Sequence, residues 1–197
     1  MPRGVAIPQL RQQLFAAAEL VVVRDGPARL SSRAVTGEAG VATGLLHAHF
    51  GDLDEFLTAY AVDRSFLVSA AAAGLPDRAG HGEVAQNLAE ALAVIPRTHL
   101  TVLARLMALR PELAGRVRTV LGDRAAGLDA IEQAATAYLT AERRLGRIAA
   151  DADPAALALA LVGVLHHLVL TEDTGERLRR AVTAVVKGAE APLESRP

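Results

Sequence analysis

The sequence contains no cysteine and no tryptophan. Without cysteine there are no disulfides, thiolate metal sites or thiol nucleophiles, and a reducing compartment is expected. Aromatic residues make up 3% of the chain, so the interior is expected to be built from Leu, Val and Ala, which pack as closely approaching helices. Lysine is almost missing: Lys187 is the only one among 21 basic residues, and the rest are arginine. With 22 acidic residues the net charge is −1, so any attraction for a polyanion must come from a local patch. No charged segment followed by an apolar run opens the chain, which suits a cytoplasmic protein. The most apolar stretch, Pro154–Leu170, is about 17 residues long, rich in Ala and interrupted by His166 and His167. That is the lower limit for a membrane span, and a buried or dimer-forming helix is the expected reading.

Strand signals are scarce as well. No sustained alternation is bounded by hairpin turns, whereas helical periodicity runs almost throughout the 197 residues. The expected fold is all-α with about nine helices. The first spans Gln9–Arg24, with Leu10, Leu14, Phe15, Ala18 and Val22 on one side, and ends at Asp25-Gly26-Pro27. Ser31 and Ser32 can cap a short second helix, Arg33–Ala39, and Gly40 breaks it. A third short helix covers Ala42–His49. Asp52 caps a long fourth, Leu53–Ala73. Gly74–Gly82 reads as a loop. Helices follow at Glu83–Ile95, Pro96–Leu109 and Pro111–Leu145, the last with candidate breaks at Gly122 and Gly127. Asp153-Pro154 opens a helix to Leu170, another covers Gly175–Ala191, and Pro192–Pro197 is a frayed tail.

The second and third helices carry the functional signal. A helix-turn-helix needs a sharp turn between two short helices, and Gly40 makes one without steric cost. Val35, Ala39, Val41 and Leu46 are its expected internal core, with Leu30 at the entrance. Thr43, Gly44 and His47 then face outward, towards a major groove.

The run Ala39-Gly40-Val41-Ala42-Thr43-Gly44-Leu45-Leu46-His47-Ala48-His49-Phe50, preceded by Leu30-Ser31-Ser32-Arg33-Ala34-Val35, resembles the TetR family of transcriptional repressors. The resemblance covers about Leu10–Leu57; beyond Ala73 only helix number and length agree. It implies a homodimer with a DNA-binding domain over residues 1–52 and an effector-binding and dimerisation domain over 53–197. It places Ser31, Ser32 and Arg33 at phosphates or base edges, and Thr43 and Leu45 at bases. A threonine hydroxyl pairs with several base edges and leucine can touch a thymine methyl. Gly44 allows close backbone approach. His47 stands where the family usually has a phosphate-binding Tyr, His49 matches a common His, and Phe50 is a core anchor. Leu53 replaces a phosphate-binding Lys, Ala42 replaces a capping Ser, and Thr36 and Gly37 replace better helix formers. Residues 1–50 hold five arginines (3, 11, 24, 29, 33) against three acids (19, 25, 38), so operator binding weaker or more salt-sensitive than usual is expected.

A three-helix subdomain with a glycine turn explains the same periodicity, and His47 could be a solvated residue that touches nothing. His47 and His49 point about 200° apart on a helix and cannot share one ion, so no metal or cofactor is expected. The aliphatic composition favours a small hydrophobic effector over a nucleotide or sugar, and its candidate contacts are Phe66, Arg97, His99, Arg105, Met107 and Tyr138. Helices 154–170 and 175–191 are expected to form a four-helix bundle across a twofold axis. No phosphate loop or Gly-x-Ser-x-Gly assembles an enzyme, and the carboxylate pair Glu172-Asp173 reads as a solvated turn. The expectation is a ligand-responsive repressor of a roughly palindromic site. The alternative is a protein of the same fold that has lost strong DNA binding and acts through protein or ligand contacts.

Overall fold

The computed structural model describes residues 7–171 and 175–190; Glu172-Asp173 and the 192–197 tail lie outside them. Ten α-helices follow in order among the described residues: α1 (Ile7–Asp25), α2 (Ser32–Glu38), α3 (Thr43–Phe50), α4 (Leu53–Ala72), α5 (Val84–Ala93), α6 (Arg97–Leu109), α7 (Pro111–Leu121), α8 (Leu128–Arg144), α9 (Pro154–Leu170) and α10 (Gly175–Lys187). Short 3-10 turns at Pro27–Arg29 and Pro76–Arg78 add to the elements expected from the sequence. The count exceeds nine because the stretch from Pro111 breaks at both candidate glycines: Gly122 closes α7 and Gly127 opens α8. The one extended pairing among the described residues is an isolated bridge between Ile148 and Glu190, which holds the turn after α8 against the end of α10.

The chain divides into two compact units, Met1–Arg64 with Thr101–Gly122, and Ser65–Leu100 with Asp123–Pro197. The division falls inside α4 and α6 rather than at residue 52. Arg64 is the last α4 residue of the first unit. Its guanidinium is 5% exposed, pairs with Glu19 at 2.6 Å and Asp63 at 2.7 Å, and donates to Gln12 Oε1 at 2.9 Å. These bonds bind the first three turns of α4 to α1.

The first unit has a core that average composition conceals. Four of the six aromatic residues, Phe15, Phe50, Phe56 and Tyr60, pack together with ring centroids 5.1–5.9 Å apart. Edge-to-face and tilted pairs of this kind gain energy beyond their buried area. The expected α1 stripe, Leu10, Leu14, Phe15, Ala18 and Val22, is buried as a whole.

The second unit has the aliphatic core expected of this composition. Leu88, Leu92, Ile131, Leu139, Leu161, Leu165, Val182 and similar residues bury between α5, α8, α9 and α10. Leu75, 2% exposed, anchors the 74–82 loop, and Gly80 N–H donates to the buried Glu142 carboxylate at 3.2 Å. Arg147 neutralises that carboxylate at 3.3 Å and also donates to Gly82 O. Gly127 adopts φ +65 and donates its N–H to Ser69 Oγ at 2.7 Å and Ser65 O at 3.0 Å. A Cβ at that position would lie 3.4 Å from Ser65 Oγ, so glycine suits both the conformation and the close approach.

Candidate nucleic-acid interface

The turn between α2 and α3 is built by backbone bonds. Ser31 caps α2, its hydroxyl accepting from Ala34 N–H at 3.2 Å. At the other end Val41 N–H donates to Thr36 O at 3.0 Å and Gly40 N–H to Gly37 O at 3.2 Å. That pair is the Schellman closure, which requires a left-handed residue between the two, and Gly40 has φ +68. Gln13 Nε2 donates to Ala39 O at 2.8 Å, so α1 satisfies another carbonyl at this end.

Val35 and Leu46 are fully buried between the two helices, and Leu30 is 4% exposed beneath them. Ala39 and Val41, expected in the same core, are only half-buried, because the turn itself lies at the edge of this small unit. Thr36 takes part of their place. It is 0% exposed, and its hydroxyl donates to Ser32 O at 2.8 Å, which removes the cost of burying it. The Thr43 hydroxyl lies 3.3 Å from Thr36 Oγ1. The threonine that departs from the family pattern is thus the buried polar link between α2 and α3.

Helix α3 starts at Thr43, with Ala42 in extended conformation as its cap and no side-chain bond to the first N–H groups. Its outward residues are Thr43, Gly44, Leu45, His47 and His49, all exposed, while Leu46 and Phe50 point into the core. His47 Nδ1 lies 3.0 Å from Gly51 O. A carbonyl only accepts, so Nδ1 carries the proton and Nε2 is left for an outside partner. Ser31 and Arg33 are exposed at the start of α2, and Ser32 is half-buried there. Leu53 is half-buried in the first turn of α4, whose N–H at Glu55 is capped by Asp52 Oδ1 at 2.7 Å.

The charge balance here differs from the bare count. Arg24 pairs with Asp25 at 2.9 Å and Glu38 at 2.8 Å, and Glu19 is held by Arg64. Each of the three acids of residues 1–50 therefore has an arginine beside it, with Arg24 shared by two of them. Arg29 and Arg33 form no ion pair among the described residues; Arg29 also feels the charge of Asp25, whereas Arg33 stands exposed at the start of α2.

The six candidate effector residues are dispersed. Phe66 is 41% exposed on α4 with the Arg124 guanidinium 5.8 Å above its ring. Arg97 and His99 are half-buried at the start of α6; Arg105 and Met107 are half-buried further along it, in the other unit. Tyr138 is fully buried, and its hydroxyl accepts from Asn87 Nδ2 at 3.0 Å. None of the six lines either of two cavities of about 460 and 320 Å³. No group of three or more metal-binding side chains is arranged around a common point among the described residues. No single helix there is long and apolar enough to cross a membrane.

No protein-family model matches the sequence, and no curated protein matches it. Solved structures do. The TetR-family transcriptional regulator PfmR from Thermus thermophilus is 15% identical, with a TM-score of 0.69 over 88% of this chain and 97% of that one. A TetR-like transcriptional regulator from a Rhodococcus species is 19% identical, with a TM-score of 0.67 over 95% and 96% of the two chains. The fatty acid degradation regulator FadR from Bacillus halodurans is 14% identical, with a TM-score of 0.69 over 94% and 98%. With ten helices among its described residues, its glycine-turned helix pair and this agreement along nearly its whole length, the chain has the fold of the TetR-family transcriptional regulators.

Proposed function

We propose that this protein is a DNA-binding transcriptional regulator, a repressor released from its operator by a small apolar effector. The observation that carries the reading is the outward face of α3. Thr43, Gly44, Leu45, His47 and His49 are exposed together on a helix whose opposite side is locked into an aromatic core. A rigid helix presenting hydroxyl, methyl and imidazole groups suits base-edge reading in a major groove. Ser31, Ser32 and Arg33, at the start of α2, are proposed to hold the flanking phosphates. Arg33 supplies a guanidinium with no internal ion pair among the described residues.

A second copy of the chain is the proposed partner. Helix α9 leaves Leu159 59% and Leu170 45% exposed, in line with Ala156, Gly163 and His167 at helical spacing. An apolar stripe of this length favours burial against a symmetry-related copy, with α10 alongside. Two recognition helices then meet a roughly palindromic site. Effector binding is proposed to tilt α4 and change the separation of the two heads, a population shift set by differential affinity.

The test is a gel shift on DNA from upstream of the protein's own gene. The wild-type chain is expected to retard it. The double variant Thr43→Ala/His47→Ala is expected to bind on the order of tenfold to a hundredfold more weakly while remaining folded. Equal binding by both would remove α3 from the interface.

A further inference from the structure

The larger cavity, about 460 Å³, lies within the first unit between α1, α4 and α7 and contains none of the residues so far assigned a role. Ala59 and Val62 of α4 and Val120 of α7 line it, together with Arg11, Glu55, Arg116 and the hydroxyl residues Thr58 and Thr119. At the roughly 30 Å³ taken up by one water, it has room for on the order of fifteen non-hydrogen atoms. It is a groove open to solvent, and its size and largely apolar lining suit a small molecule that keeps one polar end in water.

The charged groups differ in how far they are satisfied. Arg116 already donates to Asp54 at 3.2 Å, and Arg110 reaches the same carboxylate at 3.3 Å. Glu55 sits in the first turn of α4, where the N–H ends of the helix favour negative charge. Arg11 has neither kind of partner. Its guanidinium rests over the rings of Phe15 at 5.0 Å and Phe50 at 5.5 Å and forms no hydrogen bond or ion pair among the described residues. The ring faces hold the cation in place without using its N–H groups, so these remain for an anion.

We propose that this cavity binds a small amphipathic monocarboxylate. Its carboxylate accepts from Arg11, with Arg116 as the second donor, and its apolar body lies against Ala59, Val62 and Val120. The site is distinct from the six effector positions taken from the sequence. Arg11 in turn lies over the ring of Phe50, the last residue of α3.

Calorimetric titration of the full chain with decanoate, and with decanol as the neutral control, tests this without DNA, so the outcome is independent of the DNA-binding reading. Decanoate is expected to bind and decanol to bind about tenfold more weakly, the difference made by a charge-assisted hydrogen bond. Arg11→Ala should remove that difference by lowering decanoate affinity about tenfold, and Arg11→Lys should restore part of it. Val120→Trp should fill the cavity and block both ligands; Val120 is 53% exposed, so the larger side chain is tolerated, and circular dichroism checks the fold. No binding of decanoate, equal binding of decanol, or binding unaffected by Arg11→Ala and Val120→Trp would each overturn the proposal.

Discussion

Arg64 and Arg24 do different work with the same side chain. Arg24 lies at the surface and is shared between Asp25 and Glu38, offsetting one of their two negative charges. Arg64 is buried and bonds to Glu19, Asp63 and Gln12 together. Arg64→Ala removes the one cation of this cluster and leaves Glu19 with the Tyr60 hydroxyl, and urea denaturation should show a loss of about 3 kcal/mol. A loss below about 1 kcal/mol would mean that the cluster is solvated. The two tyrosines report on burial in another way. Tyr60 is pushed well above the ordinary range by burial and then by the negative charge of Glu19; burial does the same to Tyr138. In the unfolded chain both titrate near about 10, so above that pH the unfolded state gives up protons the folded state retains. Stability is then full below about pH 10 and falls as pH rises further. Tyrosinate absorbance should appear together with unfolding and not before it. The protonation of neither tyrosine can be read in the sequence, because it depends on neighbours up to 51 positions away.

The ends of the elements are the most legible features of the chain. Gly40, Asp52, Asp153-Pro154 and the pair Gly122/Gly127 act through their own backbone or nearest N–H groups, so local chemistry marks them. Gly40→Ala should cost about 1 kcal/mol, since φ +68 is unfavourable for a residue with a Cβ. Ala42 gives the opposite opportunity. It caps α3 without a side-chain bond, and Ala42→Ser should stabilise the protein by about 1 kcal/mol in thermal unfolding. No change there would mean that the serine hydroxyl does not reach the first turn. What stays hidden depends on packing. Thr36 looks like a poor helix former, and its value lies in a burial and a bond that only the folded pair supplies. The aromatic core is invisible to composition because four rings gather in one place. Ala39 and Val41 look interior by type, but the turn leaves them at an edge. Cavity walls come from helices far apart in sequence, so no local pattern points to Arg11 or Val120.

For the whole molecule, the proposed function requires two recognition helices held by one dimer. Leu159→Glu/Leu170→Glu places charges on the exposed apolar face of α9, and sedimentation should show monomers. Operator affinity should fall on the order of a hundredfold with the loss of the second half-site contact. A dimer that persists would move the interface elsewhere. The salt dependence of binding belongs to this scale too. The thin count of arginines in the sequence points to weak, salt-sensitive binding, in which Arg33, with no ion pair among the described residues, is the expected phosphate contact. Selection of duplexes from a random-sequence pool by the full chain tests the central claim most directly. The account predicts enrichment of one motif with twofold symmetry and half-sites about one helical turn apart, lost with Thr43→Ala/His47→Ala. Recovery of a pool with no shared sequence would contradict it.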